Sequence, residues 1–304
     1  MSRQLEGVRQ QPQWVERRER GSEALMRLIA WLTFTLGRSA GRLLLYPICA
    51  YFFALSARAR RASRDYLGRV LGRPAGVTDV WRHYHAFASV VHDRLFLVAG
   101  RLREFEVTVQ AGAEVSQWLA GSRGCILLGS HLGSFEILRA RGVAQHFRPV
   151  NVVMHLDNAA KTNRVLQSIA PAVGQRVIPL GRPESLLRVE ECLGRGEVVG
   201  ILGDRVWQND RSASCDFLGG RARFPLGPLM LAGLVQSPVI LFFGLYRGGR
   251  RYEIRLEPLA ERITFDGRDR EASLSPWVEL YARRLEHYCR LAPYNWFNFY
   301  DFWR

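Results

Sequence analysis

His131 follows the apolar run "CILLGS" and stands five residues before Glu136 in "GSHLGSFE". A histidine whose one ring nitrogen is bonded to a carboxylate has a fixed tautomer, and its other nitrogen can take a proton as a general base. Within a single helix that spacing is poor, because residues i and i+5 point about 140° apart. It serves if His131 stands in a turn and Glu136 in the first turn of the next helix. Open α/β sheets bind ligands beyond the carboxyl ends of their strands, where such a turn would lie. Gly129 and Gly133 would let a substrate approach the backbone closely, and Ser134 suits a helix N-cap. The bland alternative is a loop histidine with ordinary partners. On spacing alone the two stay open, since seven histidines can meet an acid at that distance by chance.

A nucleophile is missing. In "GSHLG" the central position of a G-x-S-x-G elbow is His131 rather than serine. A His–Glu pair without a nucleophile points to direct attack by a substrate hydroxyl that the imidazole activates. A second constellation begins where another apolar run ends, at Gly203-Asp204-Arg205, and continues through "FLGGRARFPLGP" with Arg221 and Arg223. Forked guanidinium donors at Arg205, Arg221 and Arg223 could hold a phosphate or carboxylate; solvated loop arginines are the equal alternative.

These groups need a scaffold, and the sequence outlines one. From Glu104 onward, strand-like runs alternate with helix-like stretches. Strands are expected at 105–109, 125–128, 150–154, 176–179, 198–202, 238–246 and 252–256. Helices are expected near 113–120, 134–145, 158–169, 183–194, 227–236 and 273–291. That alternation predicts an α/β fold with a central mixed, largely parallel sheet flanked by helices. The last two strands, divided by "RGGR", read as an antiparallel hairpin at an edge. Residues 78–100 read as a partly exposed amphipathic helix capped by Thr78 or Asp79. His83 and His85 lie about 200° apart on it, which argues against convergence on a metal.

Residues 1–24 form a polar lead-in. Between Leu28 and Leu55 only Arg38 and Arg42 are charged, and the uninterrupted apolar pieces are ten and thirteen residues long. A spanning helix needs roughly 20, and each arginine would cost about 2.5–3.5 kcal/mol at a bilayer centre. Arg58, Arg60, Arg61 and Arg64 follow at once and suit anionic headgroups. The expectation is an N-terminal helical hairpin lying on a membrane, against the alternative of two core helices. The chain then divides into the lead-in (1–24), a helical membrane-associating region (25–103) and an α/β core (104–304).

Composition narrows the partners. Of 304 residues, 43 are basic and 28 acidic, a net charge of +15, so an anionic partner is expected. Five scattered cysteines without a C-x-x-C pair argue against zinc and disulfides, and no cleavable signal peptide is evident. The aromatics cluster in apolar runs instead of alternating with arginines, which argues against nucleic acid.

Together these pieces resemble the lysophospholipid acyltransferase superfamily, and within it the bacterial lipid A biosynthesis lauroyl/myristoyl acyltransferases. The resemblance runs from about residue 27 to the C-terminus. The H-x-x-x-x-[DE] signature stands as His131-Leu-Gly-Ser-Phe-Glu136, and later blocks are similar at "LGDRVW", "FLGGRARFPLGPLMLA" and "SPVILFFGLYRGGRRYEIRLEPL". Arg164 and Asn158 in "HLDNAAKTNRV" correspond loosely to an Asn- and Arg-containing block. Asp204-Arg205 stands where lipid A enzymes commonly carry Asp-Gln. The ending "NWFNFYDFW" is closer to homologues found with aryl polyene machinery.

The resemblance implies that His131 is the general base and Glu136 its orienting partner. A hydroxyl of a lipid or glycolipid acceptor would attack an acyl thioester, usually on acyl carrier protein. Arg164, Asp204, Arg205, Arg221 and Arg223 would contact substrate. No metal and no cofactor beyond the thioester co-substrate is implied. The expected setting is the cytoplasmic face of the bacterial inner membrane, with phospholipid, acceptor lipid and acyl carrier protein as partners. The alternatives are an acyl-CoA-dependent lysophospholipid acyltransferase and a non-catalytic basic membrane-binding module.

Overall fold

Strands buried on both faces read as short continuous apolar runs, and such runs build the centre of this protein. In the computed structural model, which describes residues 23–144, 148–155, 164–165, 168–169, 176–207 and 210–303, seven strands form one sheet. They are β1 (Glu106–Ala111), β2 (Ile126–Gly129), β3 (Val150–Met154), β4 (Val177–Pro179), β5 (Val198–Leu202), β8 (Val239–Tyr246) and β9 (Arg251–Ala260), in the spatial order β1-β9-β8-β2-β5-β3-β4. The β8–β9 pair is antiparallel and every other neighbouring pair is parallel. β2 and β8 are buried along their whole length. The hairpin expected at an edge lies inside the sheet, because β1 pairs with the outer side of β9. The expected α/β architecture is therefore present.

Helices α4 (Ala113–Ala120), α5 (Glu136–Ala144), α6 (Pro183–Gly194), α7 (Gly227–Val235) and α8 (Arg270–Leu291) alternate with the strands. A small antiparallel sheet, β6 (Ser212–Phe217) with β7 (Gly220–Pro225), was not anticipated. Its two-residue turn places Leu218 at φ 48° and Gly219 at φ 72°. Turns of that hand usually carry Asn-Gly, and Leu-Gly hid the signal.

Ahead of the sheet come α1 (Glu23–Leu55), α2 (Ala57–Leu71) and α3 (Val77–Val98). α1 breaks at Gly37, whose φ of 84° a side chain would resist. The two apolar pieces expected as the arms of the hairpin, 28–37 and 43–55, both lie in α1 on either side of this break, and α1 passes into α2 through a bend of 98°. No single described helix is long and apolar enough to cross a membrane; α1 and α2 pass together only as a bent pair. Arg60 supplies the positive charge that the last turn of α1 lacks, donating to the carbonyls of Phe53 and Ala54.

Arg38 and Arg42 point into the protein. Arg38 makes two 2.8 Å hydrogen bonds to the carboxylate of Asp93. Arg42 donates to the carbonyl of Gly249, to Ser89 and to the Tyr246 hydroxyl. Tyr252 adds a third donor to Asp93. The two charges that would be costly in lipid thus fasten α1 to α3 and the β8–β9 hairpin. Among the large apolar side chains that α1 exposes are Trp31, Leu36, Leu43, Tyr46, Tyr51 and Leu55.

α3 begins earlier than expected. Gly76 is its N-cap, and Asp79 reaches back to accept from the Gly76 N–H at 2.9 Å. Its histidines are more deeply set than a partly exposed helix predicts. His83 and His92 are buried, and His85 rests against Tyr46.

Candidate functional site

β2 ends at Gly129 and β5 at Leu202, and these strands are parallel neighbours. The chain leaving β2 therefore emerges beside the chain leaving β5, at the carboxyl edge where such sheets bind ligands. His131 lies on the first and Asp204 on the second. Nδ1 of His131 is 2.8 Å from Oδ1 of Asp204, and the His131 backbone N–H donates to Oδ2 at 3.0 Å. The indole N–H of Trp296 donates to the same Oδ2 at 2.9 Å.

The partnership expected between His131 and Glu136 is not the one the structure makes. Glu136 opens α5, and its carboxylate accepts from Nε of Arg94 on α3 at 3.2 Å, with Arg139 forming an ion pair at 3.6 Å. In the helix's first turn, Glu136 faces α3 while the turn aims the imidazole at β5. Asp204, expected to touch substrate, instead has both oxygens taken by protein donors and is fully buried.

The electrostatics are those of a fixed, neutral imidazole on an ionised carboxylate. Burial lowers the His131 pKa and the positive charge of Arg205 lowers it further, with Asp204 opposing both. Burial alone would raise the Asp204 carboxyl; the charge and hydrogen bonds of His131, with Arg205, outweigh it and hold the group well below the usual carboxylate range. With Nδ1 donating to Asp204, Nε2 is the nitrogen left to accept a proton.

Backbone geometry locks the turn. Gly133 adopts φ 68°, and a Cβ there would sit 1.9 Å from the carbonyl oxygen of Gly244. Its freedom serves the close approach of β8 instead of a substrate. The N–H groups of Gly133 and Ser134 are bonded to the carbonyls of Asn295 and Gly244, each at 2.8 Å. Ser134, expected as a cap, precedes the helix by two residues. Those N–H groups are thus committed within the protein.

The sequence as a whole decides the family: residues 25–304 match "Bacterial lipid A biosynthesis acyltransferase". The chain belongs to that family. As a member of the lipid A acyltransferase family it is a lipid acyltransferase, and the non-catalytic reading falls away. No protein of curated function matches it. Among solved structures, the 1-acyl-sn-glycerophosphate (LPA) acyltransferase PlsC from Thermotoga maritima is similar. It is 16% identical, with 83% of this chain and 98% of that chain covered and a TM-score of 0.40.

The remaining site residues of this lipid A acyltransferase family member separate into two groups. Arg205 stays beside the pair, donating to the Phe297 carbonyl at 3.0 Å and lying over the Tyr300 ring. Arg164 bonds Glu23 at the start of α1. Arg221 and Arg223 lie on the exposed face of the β6–β7 hairpin, bonded to Ser214 and Asp216 and to Ser212. Asn158 lies outside the described residues. Phe135 and Leu132, in the same turn, pack inward: Phe135 lies over Gly200 and against Phe242, and Leu132 is in the core.

Sequence reasoning missed the C-terminal strap. Residue 296 pairs with Leu132 in an antiparallel bridge, and the N–H of Phe297 donates to the His131 carbonyl at 2.9 Å. A tryptophan in an aromatic tail carries no local mark of such a role.

Proposed function

We propose that this protein is an O-acyltransferase at the cytoplasmic face of the bacterial inner membrane. It moves a fatty acyl chain from an acyl carrier protein thioester to a hydroxyl of a lipid or glycolipid acceptor. The observation that carries the reading is the commitment of His131 Nδ1 to Asp204, which leaves Nε2 for substrate at the carboxyl edge of the sheet.

Nε2 takes the acceptor's hydroxyl proton as its oxygen attacks the thioester carbonyl. The tetrahedral intermediate collapses with cleavage of the C–S bond, and the imidazolium returns the proton to the departing thiolate. The products are an ester and a thiol, so protons and electrons balance. The Gly133 and Ser134 N–H groups are spent, which leaves the charge of Arg205 as the support for the developing oxyanion.

The outward apolar face of α1, continued by exposed Arg58, Arg61 and Arg64 on α2, supports attachment to an anionic bilayer. An acceptor lipid then reaches the site without leaving the membrane. The net charge of +15 also favours an acidic carrier protein.

The test uses detergent-solubilised wild type beside His131→Ala, with labelled acyl carrier protein thioester and total bacterial membrane lipid. Label passing into lipid only with the wild type is the expected result. Equal transfer by His131→Ala overturns the reading, and transfer from acyl-CoA alone replaces the donor.

A further inference from the structure

Among the described residues Trp296 is the largest fully buried side chain, and it ends against the carboxylate that holds His131. We propose that Trp296, itself anchored by His83, is a positioning residue whose indole N–H fixes the orientation and basicity of the Asp204 carboxylate. This rests on the reading of His131 and Asp204 as the base pair.

The chain of contacts is continuous. Nε2 of His83 lies 2.9 Å from the Trp296 carbonyl oxygen, which can only accept, so Nε2 carries the proton. Nδ1 then accepts from the Ser63 hydroxyl at 2.8 Å. That tautomer satisfies both ring nitrogens of a neutral imidazole inside the core. The ring also stacks on Phe299 at 4.5 Å. The indole of Trp296 is held edge-on by Tyr66, Phe217 and Phe302. Flanking residues bind the catalytic turn, with the Asn295 carbonyl accepting from Gly133 and the Phe297 N–H donating to His131. The tail thus grips the turn through its backbone and the carboxylate through its indole.

Asp204 Oδ2 receives two donors, the indole and the His131 backbone N–H. Removing the indole donor makes the carboxylate more basic. A more basic carboxylate holds the imidazolium of His131 more strongly, so the His131 pKa rises. The other groups facing the pair are Arg205 beside it, Tyr281 and Cys289 from α8, and Tyr300 of the tail.

The experiment compares full-length wild type, Trp296→Phe, His83→Leu and His83→Gln in detergent. Gln replaces the His83 Nε2–H donor with an amide N–H. Ring-proton NMR, with the His131 signal assigned from His131→Ala, gives the His131 titration whether or not an acceptor is known. Transfer from the carrier-protein thioester to total membrane lipid gives kcat and KM. Trp296→Phe and His83→Leu should raise the His131 pKa by about half a unit to one unit, as loss of a charge-assisted donor does. They should lower kcat by about tenfold or more with the thioester KM nearly unchanged, and His83→Gln should restore both. An unshifted His131 titration in folded Trp296→Phe overturns the proposal. Full turnover in Asp204→Asn would instead remove the base-pair reading on which it rests.

Discussion

Asp204 holds His131 twice from 73 residues away, Oδ1 2.8 Å from the imidazole Nδ1 and Oδ2 3.0 Å from the backbone nitrogen. Ring and main chain are gripped by one buried carboxylate. The imidazole cannot flip or swing without breaking its contact with Oδ1, and the backbone bond to Oδ2 keeps that carboxylate in register with the ring.

The first prediction compares two carboxylates. Asp204→Asn removes the group that fixes the tautomer and should lower kcat by about 10²-fold or more. Glu136→Gln disturbs Arg94 and Arg139 and leaves the His131–Asp204 contact in place, so its kcat loss should be smaller. Steady-state kinetics on both variants decides; a larger loss for Glu136→Gln would return the role to the sequence-adjacent acid.

Activity should persist into mild acid. The folded His131 pKa lies below its ordinary 6.5, so the base stays unprotonated as pH falls past that value. The acid limb of kcat/KM in wild type should turn down below pH 6.5, which a pH–rate profile measures directly.

His83 makes stability depend on pH over a different window. Burial depresses its pKa from 6.5 to about 4, against the raising effect of its bond to Trp296. A base whose folded pKa is lowered binds protons preferentially when unfolded, so stability is complete above pH 6.5 and declines as pH falls towards 4. That shift is worth about 3 kcal/mol between those limits. Urea unfolding of wild type and His83→Gln at pH 7 and pH 4.5 should show a smaller decline in the variant.

Arg38 and Asp93 are 8% and 0% exposed, and breaking such a pair strands a buried charge. Arg38→Met should cost about 3–5 kcal/mol and lower the thermal midpoint. Arg38→Met paired with Asp93→Asn should recover part of that loss. A single variant as stable as wild type would mean that α1 is not fastened there.

The proposed membrane attachment predicts a role for the side chains of α1 that point away from those arginines. Leu43 and Tyr51 are 68% and 60% exposed. Leu43→Glu with Tyr51→Glu should weaken sedimentation with vesicles containing anionic phospholipid by about tenfold or more, while the fold and the His131 titration stay intact. Unchanged binding would place the contact elsewhere.

Most of the elements were legible from periodicity. β2, β5 and β8 announce themselves as apolar runs, and α6 spans 183–194 as its pattern indicates. β6 and β7 escaped because their turn uses Leu218-Gly219, and the place of β1 beyond β9 is a non-local pairing. The site divided in the same way. His131 was visible from its position after an apolar run, and Asp204 was singled out at the end of another. Their union was not visible, because it depends on β2 and β5 lying side by side.

Sequence alone determined that strands alternate with helices, that a histidine stands beyond the end of a buried strand, and that the surface is strongly basic. These are local properties, written in spacing and composition. The tertiary structure decided the rest: His131 takes its carboxylate from Asp204, Glu136 turns to Arg94, and Trp296 returns from the C-terminus to close the pair. Each is a contact between segments distant in the chain. It exists only because burying the sheet's apolar faces sets the strand order, and strand order selects which side chains meet at its carboxyl edge.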